Sequence, residues 1–232
     1  MTVLSLDQNM PARNSIKQYL ENGYYHLYNR GVEKRSVFLD QQDYSVFLSY
    51  LKEYLLPKNL QELSEKLADP NTSYKEKDKI IKLLRLNNFA GEITLLAYCL
   101  MTNHFHLLVK QKSAQSIDIF MNSLGTRYTM YFNRKYKRVG SLWQAVYKAV
   151  LVNNEQQLLH LVRYIHKQAL NSQEEETQPS SHSEYLKKRK TEWVHPEEIL
   201  SYFSKNNPNL SYEPFVIQTE DPKIIDNIKI ED

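Results

Sequence analysis

The sequence predicts an α+β fold built on a four-stranded antiparallel sheet. Runs rich in aromatic and β-branched residues predict strands, and apolar residues spaced three and four apart predict helices. These segments follow one another in the order β-α-β-β-α-β, with one more helix after the last strand. This is the order of the ferredoxin-like split βαβ arrangement, in which two helices cover one face of the sheet. We expect the other face to be free for a site.

The first strand and helix are predicted near the N-terminus. Residues 24–30 are rich in aromatic side chains and are followed by Gly31, which is typical of a strand and its turn. Apolar residues recur at helical spacing from Asp43 to Leu55, ahead of Pro57. Residues 58–90 are highly charged with helical spacing, and we predict a helical insertion there. Ser73 and Glu76 in it have the spacing of a capping box.

The remaining elements follow a central hairpin. Residues 93–100 form an almost continuous apolar run, typical of a buried strand, and a second strand at 104–109 follows a short turn. Helical spacing returns over 117–136, and a short strand is predicted over 147–152. Asn154 can cap a final helix that runs to about residue 170, with Gln157 three positions on.

Composition favours one buried core in a chain of 232 residues that is 41% hydrophobic. We expect a flexible N-terminus over 1–20, a domain with the functional site over 21–170, and a polar linker and acidic tail over 171–232. No stretch resembles a secretory signal or has the roughly 20 apolar residues of a spanning helix. Cys99 is the single cysteine, which excludes a disulfide framework and a thiolate zinc cluster. We therefore expect a soluble, cytoplasmic protein.

Charge is distributed unevenly along the chain. Residues 104–170 carry ten basic and two acidic residues, a net charge of +8, whereas residues 171–232 carry seven basic and thirteen acidic residues, a net charge of −6. A segment this basic suits phosphate backbones, although a solvated basic face explains the charge as well. The candidate nucleic-acid contacts are Arg127, Arg134, Lys135, Lys137, Arg138, Lys148 and Trp143, with Tyr128, Tyr131 and Tyr136 interleaved for base stacking.

Two histidines alternate on the strand at 104–109. His104 and His106 point to one face because side chains alternate along a strand, while Phe105, Leu107 and Val109 point to the core. Two imidazoles leave coordination positions open on a divalent ion, which could then polarise a phosphate oxygen. Two ordinary half-exposed histidines are the alternative interpretation.

The final helix carries a polar stripe. His160, Tyr164 and Gln168 follow one another at intervals of four residues, beside an apolar face made by Leu158, Leu161, Val162, Ile165 and Ala169. A phenol held near a metal site could attack phosphorus, provided that its usual pKa near 10 is offset by activation. Packing is the alternative role of Tyr164, and spacing cannot select one nucleophile among 17 tyrosines.

The motifs, taken in order, resemble the REP-associated tyrosine transposases of the single-strand insertion-sequence transposase superfamily. The resemblance covers about residues 24–170, with the insertion as an interruption. It runs through Tyr25-His26-Leu27-Tyr28-Asn29-Arg30-Gly31, Val37-Phe38, Asp43-Tyr44, Asn103-His104-Phe105-His106-Leu107-Leu108-Val109, Arg127-Tyr128-Thr129, Tyr131-Phe132-Asn133-Arg134, Leu142-Trp143-Gln144 and Leu161-Val162-Arg163-Tyr164-Ile165-His166.

The resemblance implies a role for each polar candidate. His104 and His106 would be the HUH metal ligands, Gln168 the third ligand and Tyr164 the nucleophile. The ion would be Mg²⁺ or Mn²⁺, the substrate single-stranded DNA with a hairpin, and the product a 5′-phosphotyrosine with a released 3′-hydroxyl. Many relatives have Asn-Pro where this chain has Gln168-Ala169, and His160 is the next candidate ligand. A homodimer is a candidate assembly, and no membrane is involved.

Two other functions account for part of the same sequence. A non-catalytic single-stranded RNA or DNA binder would use the same order of elements and the same basic residues. An inactive transposase relative acting as a regulator would retain the whole site. Metal-dependent cleavage separates an active enzyme from both.

Overall fold

The chain has a mixed α/β fold with a four-stranded antiparallel sheet and several helices. The computed structural model describes residues 19–170, 178–218 and 224. The strands are β1 (Tyr24–Arg30), β2 (Ile93–Met101), β3 (His104–Gln111) and β4 (Lys148–Leu151). The helices are α1 (Gln41–Leu55), α2 (Leu60–Ala68), α3 (Tyr74–Arg85), α4 (Ser116–Lys135), α5 (Glu155–Leu170), α6 (His182–Tyr185), α7 (Glu197–Leu200) and α8 (Tyr212–Ile217). Short 3₁₀ turns lie at Val32–Lys34 and Pro208–Leu210.

The four strands form one antiparallel sheet in the order β2-β3-β1-β4. β2 and β3 are a hairpin, and β1 lies between β3 and β4. The predicted antiparallel sheet with helices packed on it is therefore present. β1 places Tyr28 opposite His106 and Arg30 opposite His104.

One face of the sheet is covered by α1 and α4. Alternate residues of β1 and β3 point into this core, as predicted for β3, together with large aromatic side chains of both helices. The core residues from the two strands are Tyr25, Leu27, Phe105, Leu107 and Val109. The helices contribute Phe47, Tyr54, Phe120, Tyr128 and Phe132.

The opposite face is also covered, which corrects the prediction of a free face. The apolar side of α5, including Leu161, Val162 and Ile165, packs on Leu96, Ala97 and Cys99 of β2 and on Leu108 of β3. A helix with an apolar side of this width must bury it, and the sheet offers the matching surface.

Residues 178–218 extend this second core, which the prediction of a polar linker and acidic tail did not include. The buried residues of this segment are Tyr185, Ile199, Tyr212 and Val216. Backbone groups tie it to β2, because Leu100 N–H donates to Pro179 O at 2.9 Å and Ser181 N–H to Tyr98 O at 3.0 Å. Residues 1–18 and 171–177 lie outside the described part of the chain, so the flexible N-terminus stays a prediction.

Side chains cap the N-termini of several helices. Ser73 accepts a hydrogen bond from Glu76 N–H, and Asn154 accepts one from Gln157 N–H at 2.8 Å, as their spacing predicts.

The predicted insertion contains α2 and α3, in which Ile80 is the one buried residue. Within the described residues, no helix is both long and apolar enough to cross a membrane.

Candidate functional site

His104 and His106 lie side by side on the face of the sheet that α5 covers. Their ring centroids are 4.9 Å apart, and the ring planes are nearly perpendicular. His106 is fully buried and His104 is 8% exposed. The alternation of β3 produces this pairing, because Phe105 between them points into the opposite core.

Tyr164 on α5 meets the histidines from the other side. The centroid of its ring is 5.4 Å from that of His106 and 6.3 Å from that of His26, edge-on in both cases. α5 reaches this position because its apolar side is fixed on the sheet, which leaves Tyr164 at the border of the packed side. The structure thus brings the predicted nucleophile and the predicted ligands together. Tyr164 is half-buried, as are Tyr28 and Arg30 on β1.

His26 is a member of the site that sequence reasoning did not select. It is fully buried, and its Nε2 atom lies 2.9 Å from Nδ1 of His106. The alternation of β1 puts His26 and Tyr28 on one face of the strand. The missing information was that β1 pairs with β3 in a register that places Tyr28 opposite His106.

The site holds His106 in its neutral form. Burial, together with the charges of His26, His104 and Arg30, lowers the pKa of His106 well below its usual value. The Nε2 atom of His106 is buried and has no hydrogen-bond partner among the described residues. A neutral imidazole with one nitrogen unengaged is the form that binds a metal ion. These residues therefore fit a divalent cation.

Gln168 and His160, the other two residues of the predicted stripe, differ in position. Gln168 lies one helical turn beyond Tyr164 on α5 and is half-buried. The ring of His160 lies 6.3 Å from that of Phe215 on α8, so this side chain packs against the C-terminal segment. Among the described residues, no group of three histidine, cysteine or acidic side chains is placed to hold a metal. An additional protein ligand would thus come from a residue such as Gln168.

Two of the predicted DNA-binding residues are held in ion pairs within the molecule. Arg127 pairs with Glu53 at 2.6 Å and stacks over the ring of Tyr50 at 3.7 Å. Lys135 pairs with Asp40 at 2.7 Å and with the buried Asp43 at 2.8 Å. Burial alone would lower the pKa of Lys135, but the bonds to Asp40 and Asp43 raise it. Both ion pairs stabilise the packing of α1 and α4. Because each cation is already paired with a carboxylate, neither is an unpaired cation that could bind a phosphate.

The aromatic residues proposed for base stacking belong to the fold instead. Trp143 packs edge-on against Phe105, with 5.3 Å between ring centroids, and it is 9% exposed. Tyr128 is fully buried and donates a hydrogen bond to Val37 O at 2.7 Å. Tyr131 and Tyr136 each donate to Asp43 at 2.8 Å. The stacking prediction is therefore wrong for Trp143 and Tyr128, because their rings are packed in the core.

The other predicted basic residues keep contact with solvent. Arg134 and Lys137 are exposed at the end of α4, and Arg138 is half-buried with a bond to Asn133 at 3.0 Å. Lys148 is exposed on β4, directly opposite Tyr28. Cross-strand partners share a face of the sheet, so Lys148, Tyr28 and His106 lie in one line across it.

Part of the chain is similar to a known family. The sequence profile described as "Transposase IS200 like" matches residues 72–168. None of the curated proteins compared with the chain matches it. One solved structure, that of a REP-associated tyrosine transposase bound to a REP hairpin, is similar at 11% identity and a TM-score of 0.46, covering 78% of this chain and 96% of that one. Residues 72–168, which include His104, His106, Tyr164 and Gln168, thus match the profile of the IS200-like transposases, the kind of protein that the motifs indicate.

Proposed function

We propose that this chain nicks and rejoins single-stranded DNA through a covalent bond to Tyr164, as a metal-dependent transposase. The observation that carries the proposal is the placement of Tyr164 against His106, with ring centroids 5.4 Å apart. A nucleophile and a metal site must meet at one phosphate for this chemistry. The two residues lie 58 positions apart in the sequence and on different elements. If Tyr164 and His106 had only separate structural roles, nothing would require their side chains to lie close together.

The fold supports the same assignment. The β-α-β-β-α-β order and the strand order β2-β3-β1-β4 support the ferredoxin-like split arrangement, with α5 added. In this arrangement a strand presents the histidines and a helix presents the tyrosine. Both elements are anchored by buried apolar residues, so the site is built on rigid parts of the molecule.

The proposed reaction is a reversible transesterification. The phenol oxygen of Tyr164 forms a bond to phosphorus while the bond from phosphorus to the 3′-oxygen breaks. The phenol proton is transferred to the departing 3′-oxygen, which leaves as a hydroxyl, and the downstream part of the strand stays on the tyrosine through its 5′-phosphate. The reverse attack by a 3′-hydroxyl rejoins a strand, because the number of ester bonds is unchanged in both directions.

His104, His106 and Gln168 are the residues that would hold the ion. A bound Mg²⁺ or Mn²⁺ would supply stabilisation of the charge that develops on the phosphoryl oxygens. Buried Nε2 of His106 and the neutral state of its ring fit this role. We propose single-stranded DNA with a hairpin as the substrate on the strength of the family resemblance, and Lys148 as a phosphate contact beside the site.

A cleavage assay tests the proposal. The full chain is incubated with a fluorescently labelled DNA hairpin that carries single-stranded flanks, with Mg²⁺, with Mn²⁺ or with EDTA. We expect a protein-DNA adduct that survives denaturation with either ion and is absent with EDTA. Tyr164→Phe should abolish it, whereas Tyr74→Phe on the exposed start of α3 should retain it. DNA binding without any adduct would show a non-catalytic binder or an inactive relative instead.

A further inference from the structure

His26 is buried against His106 at the centre of the site. It lies on β1, and its ring and that of His106 are nearly parallel, with 19° between planes and 5.1 Å between centroids. The contact between Nε2 of His26 and Nδ1 of His106 is 2.9 Å, which is hydrogen-bond distance. One of the two nitrogens must therefore carry the hydrogen and the other must accept it.

The direction of this hydrogen bond decides what His106 can bind. A neutral imidazole has one N–H and one lone pair. If Nδ1 of His106 donates to His26, Nε2 of His106 carries a lone pair. If His26 donates instead, Nε2 of His106 carries a hydrogen and cannot bind a cation. Nε2 is buried and has no hydrogen-bond partner among the described residues, so an N–H there would be a buried, unsatisfied donor.

His104 shows the same arrangement with a different partner. Its Nδ1 atom lies 2.5 Å from the side-chain oxygen of Asn103. A carbonyl oxygen only accepts, so His104 must donate through Nδ1 and keep its lone pair on Nε2. Each histidine of the pair therefore has a hydrogen-bond partner at Nδ1. For His104 the partner is Asn103, and for His106 it is His26 on β1.

We propose that His26 is a positioning residue that accepts the Nδ1 hydrogen of His106 and thereby aims the Nε2 lone pair of His106 at the cation. This inference rests on the proposed function, because it assigns the ion to His106. His26 acts through His106 and is not a ligand, since no three such side chains converge on a metal position in the described part of the chain. Partners of this kind typically change metal affinity by about 10- to 100-fold.

The tautomer of His106 in metal-free protein is the direct readout. Long-range proton-nitrogen spectra of the ¹⁵N-histidine-labelled chain report which ring nitrogen carries the hydrogen, and the signals of His106 are assigned by their loss in His106→Gln. We expect the Nδ1–H form in the wild-type protein. Finding the Nε2–H form there would overturn the proposal without any variant of His26.

Two substitutions of His26 separate positioning from packing. His26→Gln can place a carbonyl oxygen near the position of Nε2 and should retain the Nδ1–H form, with Mn²⁺ affinity, measured by electron paramagnetic resonance, within about threefold of wild type. His26→Leu removes the acceptor and should lower that affinity by about tenfold or more. His195→Leu, on an exposed residue away from the site, is the matched control.

The outcomes distinguish this inference from the proposed function. Unchanged tautomer and Mn²⁺ affinity in His26→Leu would overturn the role of His26 even if wild type forms the DNA adduct. Conversely, the expected tautomer and Mn²⁺ behaviour without any adduct would support the role of His26 and contradict the nicking activity. If His26→Leu does not fold, the wild-type tautomer and the His26→Gln titration still decide the question.

Discussion

Lys148 belongs to the basic segment of the sequence and lies beside the histidine site. It is exposed on the edge strand β4 and stands opposite Tyr28, which itself stands opposite His106. A cation at this place can contact one phosphate of a DNA strand while the adjacent phosphate lies at Tyr164. The surface lysines of α3, in contrast, lie in an insertion that packs near the α1 and α4 layer.

We predict that Lys148→Ala weakens binding of single-stranded DNA and lowers the slope of log affinity against log salt by about one. Loss of one phosphate contact releases one condensed counterion fewer, which is the physical reason. Fluorescence anisotropy at several salt concentrations measures both quantities. Lys79→Ala, an exposed lysine of α3, is the control and should match wild type. Equal salt slopes for wild type and Lys148→Ala would remove Lys148 from the interface.

At the scale of single residues, sequence reasoning succeeded where local geometry decides. Alternation along β3 was enough to pair His104 with His106, and helical spacing was enough to place Tyr164 beside the buried side of α5. It did not reveal the ring contact of Trp143 with Phe105 or the ion pair of Lys135 with Asp43, because these partners are distant in the sequence. An aromatic or basic side chain suits a core or an internal ion pair as well as a surface, and only tertiary contacts distinguish these.

The helix α5 is anchored on both sides. Its apolar side packs on β2, and His166 bonds to residues of the C-terminal segment, with Nδ1 2.5 Å from the hydroxyl of Tyr212 and Nε2 2.8 Å from that of Ser181. The periodicity of α5 predicted the helix and its buried side. The short helices α6, α7 and α8 have four to six residues each, too few for a periodic signal. That is why this segment was not predicted to pack.

We predict that acid destabilises the protein partly through His166. Burial, then the charge of His182, lowers the pKa of His166 well below its usual value. The unfolded chain therefore binds a proton first, at a pKa of about 6.5, and stability is lost as pH falls below that value. One such group contributes a slope of up to about 1.4 kcal/mol per pH unit. Denaturant unfolding at pH 7.5 and 5.5 measures it.

His166→Gln is the comparison for this pH dependence. Its side chain does not titrate, so it should be less stable than wild type at pH 7.5 because two hydrogen bonds change, but should lose less stability on acidification. Identical losses in wild type and His166→Gln would show that His166 does not drive the acid response.

At the scale of the whole molecule, the described part of the chain contains two cores, one on each face of a single sheet. The first depends on α1 and α4 and the second on α5 and residues 178–218. A domain boundary at residue 170, as predicted from composition, would divide the second core. Composition could not reveal this, because the polar residues of the segment outnumber the few buried ones that anchor it.

We predict that a chain ending at residue 170 is much less stable than the full chain. Removal of Tyr185, Ile199, Tyr212 and Val216 takes away part of the second core and exposes the apolar residues that pack against them. Burial of each large apolar side chain contributes about 1.5–3 kcal/mol, against a total stability of about 5–15 kcal/mol. Thermal melts followed by circular dichroism should show a large decrease in Tm or aggregation. A chain ending at residue 170 that melts like the full chain would instead establish an independent domain.

The proposed nicking and rejoining of DNA depends on a covalent bond to Tyr164. Trypsin cleaves after Arg163 and Lys167, so the adduct should yield the peptide of residues 164–167. After the denatured adduct is digested with nuclease and trypsin, tandem mass spectrometry should find this peptide with a nucleotide 5′-phosphate on Tyr164. The modification should be absent without a divalent ion. A nucleotide on any other tyrosine, or an adduct that persists in Tyr164→Phe, would contradict the account.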